Sequence, residues 1–446
     1  MTDVAMLVAP SARWDAEYGY TLAEKELRQG LAFGCRGALL HGGPLLDTAS
    51  LLGTIREASQ FPFFAAADLT AGVGERFHGA TALPPLAALD SNDLDAIRRA
   101  VRITAREARA MGINWAIAPS CVQTERVTSI ERARTFKGSD AVVGAACAEW
   151  LDTCRAEGVI ATPGPYPHMR PSTAEAMLDA GVGAIIVEAS QATNADVIGY
   201  LRNNAGFDGV IIAPLEVMAG AHSMDEEHLA IACLTAGCDL LLGCEDVTSV
   251  VRELRRAYDR RAFNAGHIAE SCARVERAAM WADVWPGGKE PTLDDALWAR
   301  RAADAALQLQ RGRAHALRSP VDVIVVDDDP ARIEPPGTAL RETLAKLNHE
   351  TRDVSDPTPD SRGAVIVALV GDRRIALGFD TFSDGAINRV RDACARAQKM
   401  SRDVIVVHFT PPDYSRGLEF APALVCAWSG TRAMEEAVAR WLARAE

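Results

Sequence analysis

The strongest constraint on the fold of this 446-residue chain is an alternation that repeats through its first 250 residues. Short aliphatic runs recur: "RGALL" (around 37–40), "FPFFAAADL" (61–69), "INWAIAP" (113–119), "GVIAT" (158–162), "GAIIVEA" (183–189), "GVIIAP" (209–214) and "CDLLLGC" (238–244). Between them lie helical patterns such as "DLDAIRRAVRITAREARAMG", whose apolar residues fall at i, i+3 and i+4 and whose stop is Gly112. An unbroken apolar run suits a strand buried on both faces, and βα repetition makes the strands parallel. Seven or eight such units in about 300 residues predict a TIM-type (β/α)8-like barrel. No G-x-G-x-x-G follows the first of these strands, which argues against an open dinucleotide-binding sheet.

A long helical stretch, "PTLDDALWARRAADAALQLQRGRAHAL", leads out of this region, and a second βα series follows. Its strands are "VDVIVVDDD" (321–329), "GAVIVALVG" (363–371), "DVIVVHF" (403–409) and "PALVCAWSG" (422–430), and its last helix is "TRAMEEAVARWLARA". The expected organisation is a barrel over residues 1–316 and a smaller α/β sandwich domain over 317–446.

The formal net charge of −13 speaks against nucleic acid or an anionic membrane as partner. No run approaches the roughly 18 apolar residues of a membrane-spanning helix. The ten cysteines are dispersed, with no C-x-x-C and no His/Cys grouping at metal-ligand spacing, as expected of reduced thiols in a cytoplasmic protein. No cofactor and no metal are expected, and the sequence sets no oligomeric state.

The segment "AADLTAGVGERFHGATALPP" (66–85) carries the first candidate chemistry. Asp68 ends an apolar strand, the position that faces the mouth of a barrel, and Arg76 follows eight residues later. A carboxylate that accepts and a guanidinium that donates suit the hydroxyls of a polyol; the same pair also suits a purely structural loop.

Several blocks, "ADL-G-G-RF-GAT-LPP" around Asp68, "REARAMGINWAIAP", "RTFKGSD", "GFDGVII" and "AGCDLLL", resemble in order and spacing the N-terminal barrel of glycoside hydrolase family 3, most of all its bacterial β-N-acetylhexosaminidase-like branch. The likeness runs over about residues 30–250, and "DVIVVHFTPPDY" with the final helix resembles that family's C-terminal α/β sandwich domain. The resemblance implies a retaining glycosidase with a nucleophilic Asp and a separate acid/base. It assigns substrate-holding roles to Asp68, Arg76 and Arg134, Thr135 taking the last position if the alignment carries no gap.

The reacting positions depart from the family. Where the family strand runs into its nucleophile, "GFDGVIIA" runs into Pro214, which has no carboxylate. Glu216 lies two residues on, displaced by several ångströms. Gly164 and Pro165 stand where the family has a Lys–His pair, and the connection that carries the acid/base loop is shortened, leaving His168 as the nearby ring. Thr70 replaces a glutamate, and Val122 or Gln123 a strand-end aspartate. New carboxylates arise at Glu188, Glu245 and Asp246, where they suit either a rebuilt site or helix caps.

Two functions follow as expectations. One is a family 3 homologue that binds a small carbohydrate or glycoconjugate without the family's hydrolytic chemistry. The alternative is an active exo-β-glycosidase, of the β-N-acetylglucosaminidase or β-glucosidase type, using Glu216 or Glu188 with His168. Other chemistry on the same barrel mouth is a third possibility.

Overall fold

The computed structural model describes residues 3–123, 133–221, 225–284, 292–313, 315–328, 336–359, 361–371 and 381–444. The chain divides into two compact units. One comprises Met1–Thr81, Ser91–Thr124 and Phe136–Thr292; the other comprises Ala82–Asp90, Glu125–Thr135 and Leu293–Glu446.

The first unit is an eight-stranded parallel barrel. Its strands are β1 (Val8–Ala12), β2 (Gly37–Leu40), β3 (Phe64–Asp68), β4 (Trp115–Ile117), β5 (Ile160–Ala161), β6 (Ala184–Ile186), β7 (Val210–Pro214) and β8 (Leu240–Cys244). Their spatial order, β5-β4-β3-β2-β1-β8-β7-β6, follows the chain around the barrel. The helices are α1 (Thr21–Phe33), α2 (Leu45–Ala58), α3 (Leu94–Met111), α4 (Asp140–Ala156), α5 (Pro171–Asp179), α6 (Ala195–Asn203), α7 (Leu215–Ala221), α8 (Glu226–Ala236), α9 (Val247–Asp259) and α10 (Ala265–Asp283).

Strand β1 is absent from the sequence expectation, which begins its strands near residue 37. Pro10 and Ser11 disguise it, since proline withholds a ladder donor and is rare in a central strand. The barrel accommodates Pro10 through a register shift between Ala9 and Pro10 in the pairing with β8.

The barrel is not uniformly closed. Among the described residues no ladder joins β5 to β6. The seam is zipped only above the strands: Ile186 N–H donates to Pro163 O (3.2 Å), Tyr166 N–H to Ile186 O (2.9 Å) and Glu188 N–H to Tyr166 O (2.8 Å). Gly164 makes this approach possible, because a Cβ there would lie 2.7 Å from the Ile186 carbonyl oxygen. The "TPGPYP" stretch (162–167) thus closes the barrel.

The second unit is a six-stranded sheet with helices on both faces. Strands β9 (Gln308–Arg311), β10 (Val321–Asp327), β11 (Thr351–Asp353), β12 (Val365–Val370), β13 (Val404–Phe409) and β14 (Leu424–Cys426) lie in the order β9-β14-β13-β12-β10-β11. All pairings are parallel except β9 with β14. Alternate residues of β12 serve two cores: Val365, Val367 and Leu369 pack with α13 (Asp384–Lys399), while Ile366, Ala368 and Val370 pack with α12 (Thr338–Lys346) and α14 (Arg432–Ala443). Both faces being covered, the strands read as continuous apolar runs.

Helix α11 (Leu293–Ala306) belongs to this unit, which therefore begins upstream of the expected division at residue 316. Ala303 and Ala306 pack on Trp428, Met434 and Ala437, and the Trp428 indole donates to the Ala306 carbonyl at 2.7 Å. No helix among the described residues is long and apolar enough to cross a membrane.

Candidate functional site at the barrel mouth

The C-terminal ends of four neighbouring strands, β2, β1, β8 and β7, deliver a compact charged cluster. Arg13 follows β1, His41 follows β2, Glu245 follows β8, and Glu216 sits in the first turn of α7 directly after β7. Arg13 Nη2 donates to Glu216 Oε1 and, at 3.0 Å, to Glu245 Oε1; its Nε reaches the same Glu245 oxygen at 3.3 Å. His41 Nε2 lies 3.2 Å from Glu216 Oε2 and 3.2 Å from Ser11 Oγ.

Backbone geometry seats these side chains. Gly243, inside β8, adopts φ +84°, and a Cβ there would meet Glu216 Cβ at 2.9 Å. Glycine lets the Glu216 side chain lie over the end of β8. Gly42 follows His41 at φ +130°, where a Cβ would lie 2.5 Å from the Arg76 carbonyl oxygen. Gly43 N–H donates to that same carbonyl at 3.1 Å, tying the His41 turn to the Arg76 loop.

The second group at the mouth is Asp68 with Arg76, Oδ2 to Nη2 at 2.9 Å. Thr70 Oγ1 donates to Asp68 Oδ1 at 2.9 Å and buttresses this carboxylate. The two groups share one electrostatic environment. Burial lowers the His41 imidazole below its ordinary range; Glu216 and Glu245 pull it up, and Arg13 and Arg76 push it further down. Burial opposes the charge on Arg13, but its bonds to Glu216 and Glu245 prevail and raise the guanidinium overall. Glu245 is itself positioned from behind: the backbone N–H groups of Glu245 and Asp246 donate to Glu226 at 2.9 and 3.0 Å. Burial pushes the Glu226 carboxyl up.

His41, Glu216 and Glu245 bring one ligand atom each within 4.8 Å of one another, a donor set a divalent cation accepts. The Arg13 guanidinium already bonds both carboxylates, so the chain supplies the cationic charge itself.

The other candidates are dispersed. Glu188 accepts from Ser190 N–H at 2.7 Å at the start of a short 3-10 turn, and Asp246 accepts from Ser249 N–H at 3.0 Å at the start of α9; both are caps. His168 lies half-buried in the seam-closing segment, its N–H on Pro165 O and its carbonyl accepting from Gln123 N–H. Gln123 turns its amide oxygen to Thr173 Oγ1 (2.6 Å) and so anchors the first turn of α5. Arg134, half-buried, and Thr135, buried, group with the second unit.

Arg13 and His41 are the residues that the sequence did not single out. Arg13 was hidden with β1; His41 carried a readable signal, a titratable residue directly after an apolar run. Pro214 pairs with Leu242 of β8 at the end of β7, and α7 begins at the next residue.

The glycosyl hydrolase family 3 N-terminal domain model matches residues 48–169 and 175–278, just over half of the chain. A β-N-acetylglucosaminidase/β-glucosidase of Cellulomonas fimi is 27% identical over 310 residues, 58% of this chain and 54% of the relative, so the chain spans about half the length of that curated relative. Among solved structures, the family 3 β-N-acetylglucosaminidase of Paenibacillus sp. str. FPU-7 superposes with TM-score 0.80 at 17% identity, over 99% of this chain and 95% of that one. The β-glucoside phosphorylase BglX gives TM-score 0.76 at 13% identity, over 100% and 91%. At those identities the structural likeness speaks for the fold alone, and it is the fold described above. Together with the matched domain, it makes this chain a member of glycosyl hydrolase family 3.

Proposed function

We propose that this protein binds a small carbohydrate or glycoconjugate at its barrel mouth and does not hydrolyse it by the family's double-displacement route. The observation that carries this reading is Pro214 at the end of β7, with the adjacent carboxylates of Glu216 and Glu245 engaged by Arg13. A nucleophile must approach the anomeric carbon in line, and an acid must hold a proton for the leaving group. The Arg13 guanidinium occupies an oxygen of each of these carboxylates and holds them away from in-line approach. Asp68 and Arg76 remain suited to accept from and donate to sugar hydroxyls. The named activities of the relatives make N-acetylglucosaminides and β-glucosides the first ligands to try. The ten cysteines, free and buried, support a reducing cytoplasmic location.

A second reading, an active exo-β-glycosidase, draws on the separation of Glu216 and Glu245. Their nearest oxygens lie within 4.8 Å, against about 5–5.5 Å between the carboxyl groups of a retaining pair.

The full-length protein incubated with chromogenic β-N-acetylglucosaminide and β-glucoside separates the two. Non-hydrolytic binding predicts saturable sugar binding by calorimetry, weakened by Asp68→Ala, with turnover below about one per hour, against roughly 10 per second for a typical enzyme. Faster turnover that disappears in Glu216→Gln refutes it.

A further inference from the structure

The end of the barrel opposite the mouth holds a cavity of about 290 Å³, at the edge of the usual range of about 300–1,000 Å³ for small-molecule sites. It exists because the β5–β6 seam is zipped only near the mouth. Below that closure the starts of β5, β6 and β7 line an opening covered by α10. Val159, Val182, Val210, Ala278 and Trp281 give it an apolar body.

Its charge runs against that of the chain. In a protein of net charge −13, the lining carries three guanidinium groups, Arg155, Arg274 and Arg277, and one carboxylate, Asp208. Arg274 and Arg277 converge on that carboxylate: Arg274 Nε meets Oδ1 at 3.1 Å and Arg277 Nη2 meets Oδ2 at 3.2 Å. Asp208 therefore shows what the two arginines are spaced to hold, one carboxylate shared between them. Arg274 is mostly buried, its side chain 12% exposed, and is fixed from behind by Nη1 to the fully buried Asp239 at 3.2 Å. Asp208, with its side chain 77% exposed, is the accessible partner, and exposed ion pairs of this kind contribute little.

We propose that this cavity is a second binding site, for a small organic anion with a carboxylate on an apolar body, and that Asp208 is its built-in competitor. The ligand carboxylate takes the place of the Asp208 side chain between Arg274 and Arg277. The apolar part lies against Trp281 and the valines at the strand starts. The site is independent of sugar binding at the mouth and shares no residue with it.

Benzoate and hexanoate test this on the full-length protein, with benzamide as the uncharged counterpart, by isothermal calorimetry. Expected is saturable binding of benzoate or hexanoate and none of benzamide. Arg277→Ala, a surface change, weakens binding about tenfold through loss of a charge-assisted hydrogen bond. Asp208→Asn tightens it by about 1.5- to 5-fold, the amount an exposed ion pair withholds. Asp68→Ala leaves it unchanged, which separates this site from the mouth. Circular dichroism confirms that each variant is folded. The proposal is overturned if neither anion binds at 10 mM, an excess over the millimolar affinity expected of so small a ligand, if benzamide binds equally well, or if Asp208→Asn weakens binding.

Discussion

Replacing Arg13 by alanine tests whether the mouth cluster is organised by charge. In the native protein one guanidinium bonds both Glu216 and Glu245, whose nearest oxygens lie within 4.8 Å. Without it, two like charges face each other at that distance. Coulomb's law gives about 1 kcal/mol of repulsion at the dielectric constant of water and about 3.5 kcal/mol at an effective value of 20. Glu216 and Glu245 side chains are 29% and 51% exposed, which places the cost nearer the lower figure. A loss of about 1–2 kcal/mol lowers the melting temperature of a domain of this size by roughly 2–8 °C. The gap between wild type and Arg13→Ala is widest at low salt and narrows in one molar salt, because the Debye length falls to about 3 Å. Thermal unfolding followed by circular dichroism over a series of salt concentrations reads this. An equal gap under every condition would assign the effect to lost packing of the arginine stem and refute the charge account.

Two further perturbations address the supports of each unit. Gly243→Ala forces a Cβ onto a residue at φ +84° and to within 2.9 Å of Glu216 Cβ. The left-handed conformation alone costs about 1–2 kcal/mol, so differential scanning fluorimetry is expected to show a clear drop, and an unchanged melting temperature contradicts the seat proposed for Glu216. In the second unit His408 is fully buried between Thr410 and Gln310, and burial pushes its ring down to about 3. The unfolded chain takes up a proton near pH 6.5 that the folded chain refuses, so stability is intact above pH 6.5 and is lost as pH falls toward 3. That amounts to about 2 kcal/mol by pH 5. Urea unfolding at pH 7 and pH 5 is expected to show this loss in wild type and a smaller one in His408→Gln; equal losses would exclude His408 as the source.

The barrel was legible because its strands are buried on both faces and announce themselves as aliphatic runs, as "GVIIAP" and "CDLLLGC" do. The same property made the second unit's sheet readable from "GAVIVALVG" and "DVIVVHF". Strand β1 escaped, since Pro10 and Ser11 break the run, and the barrel tolerates them only through a local shift of register with β8. Helix α11 read as the end of the barrel because periodicity reports that a helix has an apolar stripe and not which core receives it. Ala303 and Ala306 are received by Trp428 and Met434.

The sequence by itself determined the family, the parallel barrel and the identity of the residue at the end of β7, because these depend on local pattern and on which side chain occupies a fixed position. Pro214 offers no carboxylate whatever surrounds it. The tertiary structure decided what the remaining charges do. Glu216 and Glu245 are 29 positions apart, and Arg13 and His41 are some 200 residues away from both, yet closure of the barrel places all four at one rim. Glu188 and Asp246, equally acidic and equally near strand ends, face the adjoining backbone and become caps. A carboxylate's role here follows from the direction its strand end gives it and from the partner that barrel closure brings within reach, and neither is encoded in the neighbouring sequence.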